Sequence, residues 1–147
     1  MPQKQRKIKK NTLEIDYASD FRLVGLICAL KPHKLAWVLN KCLNLDLERQ
    51  KDHAILEKEE IDSRYIHFLH QTEVTTIRLL KNKSADDGAS KWLLVPEHPR
   101  FDYMLFIKSG EHGKETEIME QMKNIPTIEL SAFLPLASLK RKENFMF

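Results

Sequence analysis

Tyr65-Ile66-His67-Phe68-Leu69 and Val74-Thr75-Thr76-Ile77-Arg78-Leu79-Leu80, with Gln71-Thr72-Glu73 between them, decide the class of fold. Both runs are rich in β-branched and aromatic residues, and a short polar break joins them. That is the pattern of two antiparallel strands in a hairpin. Downstream, the polar stretch Lys81 to Ser90 (KNKSADDGAS) reads as a loop. Trp92-Leu93-Leu94-Val95 and Tyr103-Met104-Leu105-Phe106-Ile107 then form a second apolar pair, and Pro96 to Arg100 fit a hairpin loop between them.

Upstream, Phe21 to Leu30 (FRLVGLICAL) is almost continuously apolar and reads as a central strand covered on both faces, with Gly25 marking a bulge or a close approach by a helix. Pro32 suits the first turn of a helix over 32–44, with Leu35, Val38, Leu39 and Cys42 on its apolar side and Trp37 at the edge of the core. Residues 48–62 are polar, with room for one short strand around His53-Ala54-Ile55-Leu56 in a solvated loop. Ile118, Met122 and Ile125 line a second helix at about 112–124, Ile128 to Leu134 alternate as a last strand, and Leu136 and Leu139 suggest a final turn. Thr12 to Tyr17 alternate as a short half-buried strand.

Hairpins in the middle of the chain and helices at separate points indicate an α+β fold, a mostly antiparallel sheet with two main helices packed on one face. The other face must be polar, or covered by the tails or a partner. At 147 residues the chain is long enough for one such domain, assigned to 11–147, preceded by a basic flexible arm at 1–10. Nothing runs apolar for 18 residues and no secretory signal is present, so a cytoplasmic protein without a membrane span is expected.

Charge excludes a broad nucleic-acid face. The net +3 comes from the ends: residues 11–139 hold 16 basic and 20 acidic residues. Lys4, Arg6, Lys7, Lys9 and Lys10 still give the arm the means to touch RNA or a ribosome. The four glycines form no phosphate-binding motif, so no nucleotide cofactor is expected. Cys28 and Cys42 read as buried hydrophobes. His67 and His70 fall on opposite faces of a strand, which argues against a shared metal.

Chemistry concentrates in Val95-Pro96-Glu97-His98-Pro99-Arg100-Phe101-Asp102-Tyr103. One reading makes Glu97 and Asp102 an acid–base pair of an enzyme. The favoured one is structural: Pro96 ends a strand, the two carboxylates accept N–H groups inside the turn, and Tyr103 buries its ring while its hydroxyl bonds. No catalytic, cofactor-binding or metal residue is assigned.

This segment resembles the signature of the IPExxxVDY family of Bacteroidetes. Pro96, Glu97, Asp102 and Tyr103 match, with Val95 for the Ile and Phe101 for the Val, and Leu35-Ala36-Trp37 with Leu39-Asn40 is similar as well. The resemblance implies a cytoplasmic bacterial protein and carries over no catalytic residue. With three large apolar residues among its last four positions, the chain holds more apolar surface than one sheet and two helices hide. A non-enzymatic protein-interaction module is therefore the expected function, with Phe145 and Phe147 packing on the domain or on a second copy.

Overall fold

The computed structural model describes residues 21–57, 60–85 and 92–147. The basic arm, the strand expected at 12–17 and most of the loop beyond Ala85 lie outside the described residues. The fold is α+β. In chain order it has β1 (Arg22–Cys28), α1 (Pro32–Leu43), β2 (Glu48–Arg49), β3 (His53–Glu57), β4 (Glu60–Tyr65), β5 (His67–Gln71), β6 (Thr75–Lys81), β7 (Tyr103–Ser109), α2 (Lys114–Met122) and β8 (Ile128–Leu134), then two short 3₁₀ turns. Six strands form one antiparallel sheet in the order β2-β5-β6-β7-β1-β8, and β3 with β4 forms a separate ribbon.

Alternation along the strands splits the side chains between two layers. Val24, Leu26, Ile77, Leu79, Leu105 and Ile107 meet α1 and α2 through Leu35, Leu39, Ile118 and Met122. Leu23, Leu80, Met104, Phe106 and Leu134 project to the opposite face. There Leu94 and Val95, Leu139 and Phe145, and Ile55 and Tyr65 of the β3–β4 ribbon pack over them. The second face is thus covered by late, irregular chain rather than by helices.

Several details differ from the sequence reading. Residues 92–95 are not a strand beside β7, whose two edges are taken by β6 and β1. They cross the second face instead, paired with the chain just past β6 through an isolated bridge between Lys83 and Leu93 and the flanking bonds Ser84 N–H to Trp92 and Leu94 N–H to Asn82. Residues 48–62 hold three strands rather than one. β1 lies next to the sheet edge rather than at its centre. On α1 the buried stripe is Leu35, Ala36, Leu39 and Leu43, so Cys42 is exposed. Trp37 is 61% exposed, with the Lys41 ammonium 5.0 Å from its ring. The helix ends where Asn44 turns left-handed at φ 56° and returns its N–H to the Asn40 carbonyl.

Gly25 is required by a side chain, not by a helix. A Cβ there would stand 2.7 Å from Cγ and Cδ1 of the Phe101 ring, inside contact distance. The bulge lies further on, between Ile27 and Cys28. Gly25→Ala is expected to destabilise the fold by about 1–3 kcal/mol, because a close-packed ring must shift. Urea melts check this, and Phe101→Leu in the same chain should recover part of the loss. Equal midpoints for Gly25→Ala and the parent would refute the contact.

Candidate functional site

The second face carries a turn at 95–103 and a groove at the sheet end beyond it.

The turn is built around Asn82, a buried residue just past β6. Its Oδ1 accepts the Val95 N–H at 2.8 Å, and its Nδ2 donates to the carbonyls of Phe101 at 2.9 Å and His98 at 3.3 Å. Its backbone N–H donates to the Asp102 carbonyl, and its carbonyl accepts from Leu94. Pro96 and Pro99 offer no N–H, so one asparagine and two backbone bonds, His98 to Val95 and Phe101 to His98, order the loop.

The carboxylates face away from the turn, to partners in other segments. Asp102 Oδ2 accepts the Cys28 N–H at 2.9 Å, beyond the last β1–β7 pair, Leu26 with Tyr103. A side-chain oxygen thereby continues the ladder where β1 bulges. Tyr103 is buried and donates its hydroxyl to the Leu30 carbonyl at 2.6 Å. Burial pushes that phenol up from its ordinary range and holds it protonated. Asp102 and Tyr103 together clamp the connection from β1 to α1.

Glu97 Oε2 accepts the exposed Lys140 N–H at 3.3 Å. The Ser138 hydroxyl donates to the Pro135 carbonyl, leaving its oxygen for His98 Nε2 at 2.9 Å. These two residues fasten the C-terminal segment. Each carboxylate is thus engaged with a backbone amide of a different segment. Asp102→Ala is expected to cost about 1–2 kcal/mol by leaving the Cys28 N–H unpaired, whereas Glu97→Ala costs about 0.5 kcal/mol or less at its exposed bond. Denaturant melts of the two variants, with Asp102→Asn as the milder control, check the order. Glu97→Ala proving the more harmful would reverse the assignment.

The groove lies where the cover stops. It encloses about 390 Å³, lined by Phe21, Gln71, Thr76, Arg78, Phe106, Lys108 and Lys142 with Phe145, Met146 and Phe147. Strand alternation places Thr76, Arg78, Phe106 and Lys108 on one face, with Gln71 opposite Thr76, Thr76 opposite Lys108 and Arg78 opposite Phe106. Phe145 is buried, its ring 5.9 Å from that of Phe21, while Phe147 remains 47% exposed. Phe147 nevertheless touches the domain: its ring lies 4.6 Å from that of His53 and 4.1 Å from the Arg78 guanidinium carbon.

Arg78 Nη1 donates to His67 Nε2 at 3.1 Å, and Arg78 Nε is buried without a partner among the described residues. Burial, then the Arg78 and His53 charges, lower the His67 pKa to about 4, so the ring stays neutral and can accept. Burial lowers His53 as well, and its Nε2 meets the Asn144 carbonyl at 2.7 Å. His70, on the helix side, accepts the Asp46 N–H at Nδ1. Among the described residues no three His, Cys, Asp or Glu side chains gather as metal ligands. No helix among them is long and apolar enough to cross a membrane.

The sequence reading expects Phe145 and Phe147 to pack on the domain or on a second copy; in the structure Phe145 is buried and Phe147 lies against His53 and Arg78. It gives no role to Arg78 or Asn82 and considers His67 only as a metal ligand. Alternation in β6 was the one available signal, since it puts Arg78 on the face opposite Ile77 and Leu79. Comparison of the chain with protein-family profiles and with curated proteins finds no match.

Proposed function

We propose that this protein is a non-enzymatic interaction module that binds another protein through the open end of its second sheet face. The carrying observation is the uneven cover of that face. Residues 92–101 and 134–147 bury its apolar end. The other end is left as a groove that combines Arg78, Lys108 and Lys142 with exposed Met146 and Phe147. Apolar surface rimmed by charge is the composition of a binding patch. The bonding of Glu97 and Asp102 to backbone amides supports a structural role for the signature turn over an acid–base one. The same turn supports membership of the IPExxxVDY family and, with it, a cytoplasmic bacterial setting.

A photo-crosslinking residue at Met146, with Lys123 on the opposite face as control, tests the reading in cells. A discrete adduct at Met146, digested by protease and lost in Lys142→Glu, is expected. An adduct of twice the chain mass would identify a second copy as the partner. An adduct removed only by ribonuclease would replace this reading with an RNA-binding one.

A further inference from the structure

The main sheet has one long free edge. It ends at β8, a seven-residue strand paired with β1 on one side and with no strand on the other among the described residues. The opposite edge, β2, has two residues. Natural proteins blunt a long edge with lysine, proline or a covering loop. β8 reads Ile128-Glu129-Leu130-Ser131-Ala132-Phe133-Leu134, with no lysine and no proline, and Leu130 stands 42% exposed. Its one charge, Glu129, is the extra residue of the bulge opposite Ile27 and Cys28 and has no partner on β1. Glu129 is exposed and forms no ion pair among the described residues.

A cation of matching kind stands on the same strand pair. Arg22, at the start of β1, is exposed and holds its guanidinium carbon 3.9 Å from the centre of the Phe133 ring. Stacking uses the face of the guanidinium and leaves its N–H edges in solvent, where no carboxylate of the described residues meets them. Phe133 packs against the helix-side layer, and the charge of Glu129 acts on the Cys28 thiol of that same layer. Glu129, Phe133 and Arg22 therefore share one face of the sheet. Within one chain they stay apart, because Glu129 and Phe133 are separated by about 13 Å of extended strand. Two copies of β8 laid antiparallel about a two-fold axis at Ser131 remove that separation. Glu129 then stands beside Phe133 of the other copy and the Arg22 that covers that ring, and symmetry makes the contact twice. On the second face Leu130 falls opposite Ala132 of the other copy and diagonal to its Leu134, so the apolar layer continues instead of ending in water. A pairing centred one residue further on, at Ala132, would set Glu129 against Pro135, which has no N–H to give.

We propose that this protein pairs with a second copy of itself through the free edge of β8, joining two sheets into one and exchanging Glu129–Arg22 ion pairs across the axis. The proposal is independent of the groove, which lies elsewhere on the sheet among β5, β6 and β7, so Lys142→Glu should leave the assembly unchanged. Light scattering on the full chain is expected to give twice the chain mass, with the dimer dissociating on dilution. Glu129→Arg and Arg22→Glu should each weaken the dimer by about tenfold or more, because each sets like charges together, and Glu129→Arg/Arg22→Glu should restore it. Both side chains are exposed, so the variants keep the fold, and thermal melts of the dilute protein check this. Ser131→Cys in a Cys42→Ser chain should form an intermolecular disulfide on oxidation. Residues facing each other on paired strands stand about 4.5–5.5 Å apart at Cα, inside the roughly 4.4–6.8 Å that a disulfide spans. Lys123→Cys, at the end of α2, should not cross-link. A mass of one chain at every concentration overturns the proposal, and protection of the β8 amides from hydrogen exchange in that monomer would give the edge to another segment of this chain. A dimer that ignores both reversals and yields no Ser131→Cys cross-link also overturns it, because the contact would then lie elsewhere. So does a dimer lost in Lys142→Glu, which would place the contact in the groove.

Discussion

Asn82→Ala is expected to lower stability by about 2–4 kcal/mol, the largest loss for any single polar side chain described above. Asn82 is 1% exposed and answers three backbone groups at once. Removing it leaves the buried Val95 N–H without its acceptor and takes the side-chain donor from the carbonyls of Phe101 and His98, of which the latter keeps only the long bond from the Phe101 N–H. Asn82→Asp separates the contributions. It keeps an oxygen for Val95 but turns a charged oxygen toward the carbonyls of Phe101 and His98. At neutral pH it should be at least as harmful as the alanine variant, and it should recover as acid protonates the new carboxyl. Urea midpoints at pH 7 and pH 5 measure both effects. A loss below 1 kcal/mol for Asn82→Ala would mean that the covering segment holds itself by apolar contact alone.

Acid should loosen the same face from the other end. The His67 ring is neutral in the fold, with a pKa near 4 against 6.5 when unfolded. Between those values the unfolded chain binds more protons, so stability rises with pH there. The contribution is complete above about pH 6.5 and is lost as the pH falls toward 4. The interval sets an upper bound of about 3 kcal/mol, and solvent in the groove reduces the expected loss to about 1–2 kcal/mol. His53 is lowered too and acts with the same sign. The groups facing His67 are Arg78, His53 and Arg49, all cationic when protonated, and the Lys51 carbonyl, which takes a hydrogen bond from the ring. Denaturant melts from pH 7.5 to 4.5 should show the parent falling more steeply than His67→Gln. Parallel curves would show that His67 is not the titrating group.

Those two residues were not readable from the sequence, for different reasons. Asn82 opens a polar loop, KNKS, and nothing in a string of residues tells a solvated asparagine from one that organises a turn sixteen positions later. His67 was placed on the correct strand and opposite to His70, but its arginine lies across the hairpin diagonal, and register was not available. The helices and the β5–β6 pair were readable because their periods are long and regular. Residues 92–95 were not. An apolar run of four looks alike as a strand and as a covering strip, but Leu94 and Val95 are consecutive and buried in the same cluster, which a strand's alternation does not allow. Cys42 was misplaced because i, i+4, i+7 from Leu35 competes with the stripe ending at Leu43, and the larger leucine takes the core. The turn at 95–103 stands out in the sequence, but not what it holds: its carboxylates are expected there to serve their own loop, and they serve β1 and the C-terminal segment instead.

The position of β1 has a consequence for the order of events during synthesis. Its neighbours on either side are β7 and β8, with Arg22 opposite Ile107 and Leu23 opposite Leu134. The strand that leaves the ribosome first among those described therefore waits for β7 to be paired on one edge and for β8, later still, to be paired on the other. Until then Leu23, Val24 and Leu26 have no sheet to join, and the hairpin of β5 and β6 forms without them. Pairings this distant in sequence form slowly and leave apolar edges open to other chains. A nascent chain halted before Tyr103 would carry β1 with neither neighbour, and should depend on a holding chaperone in a way that the folded protein does not.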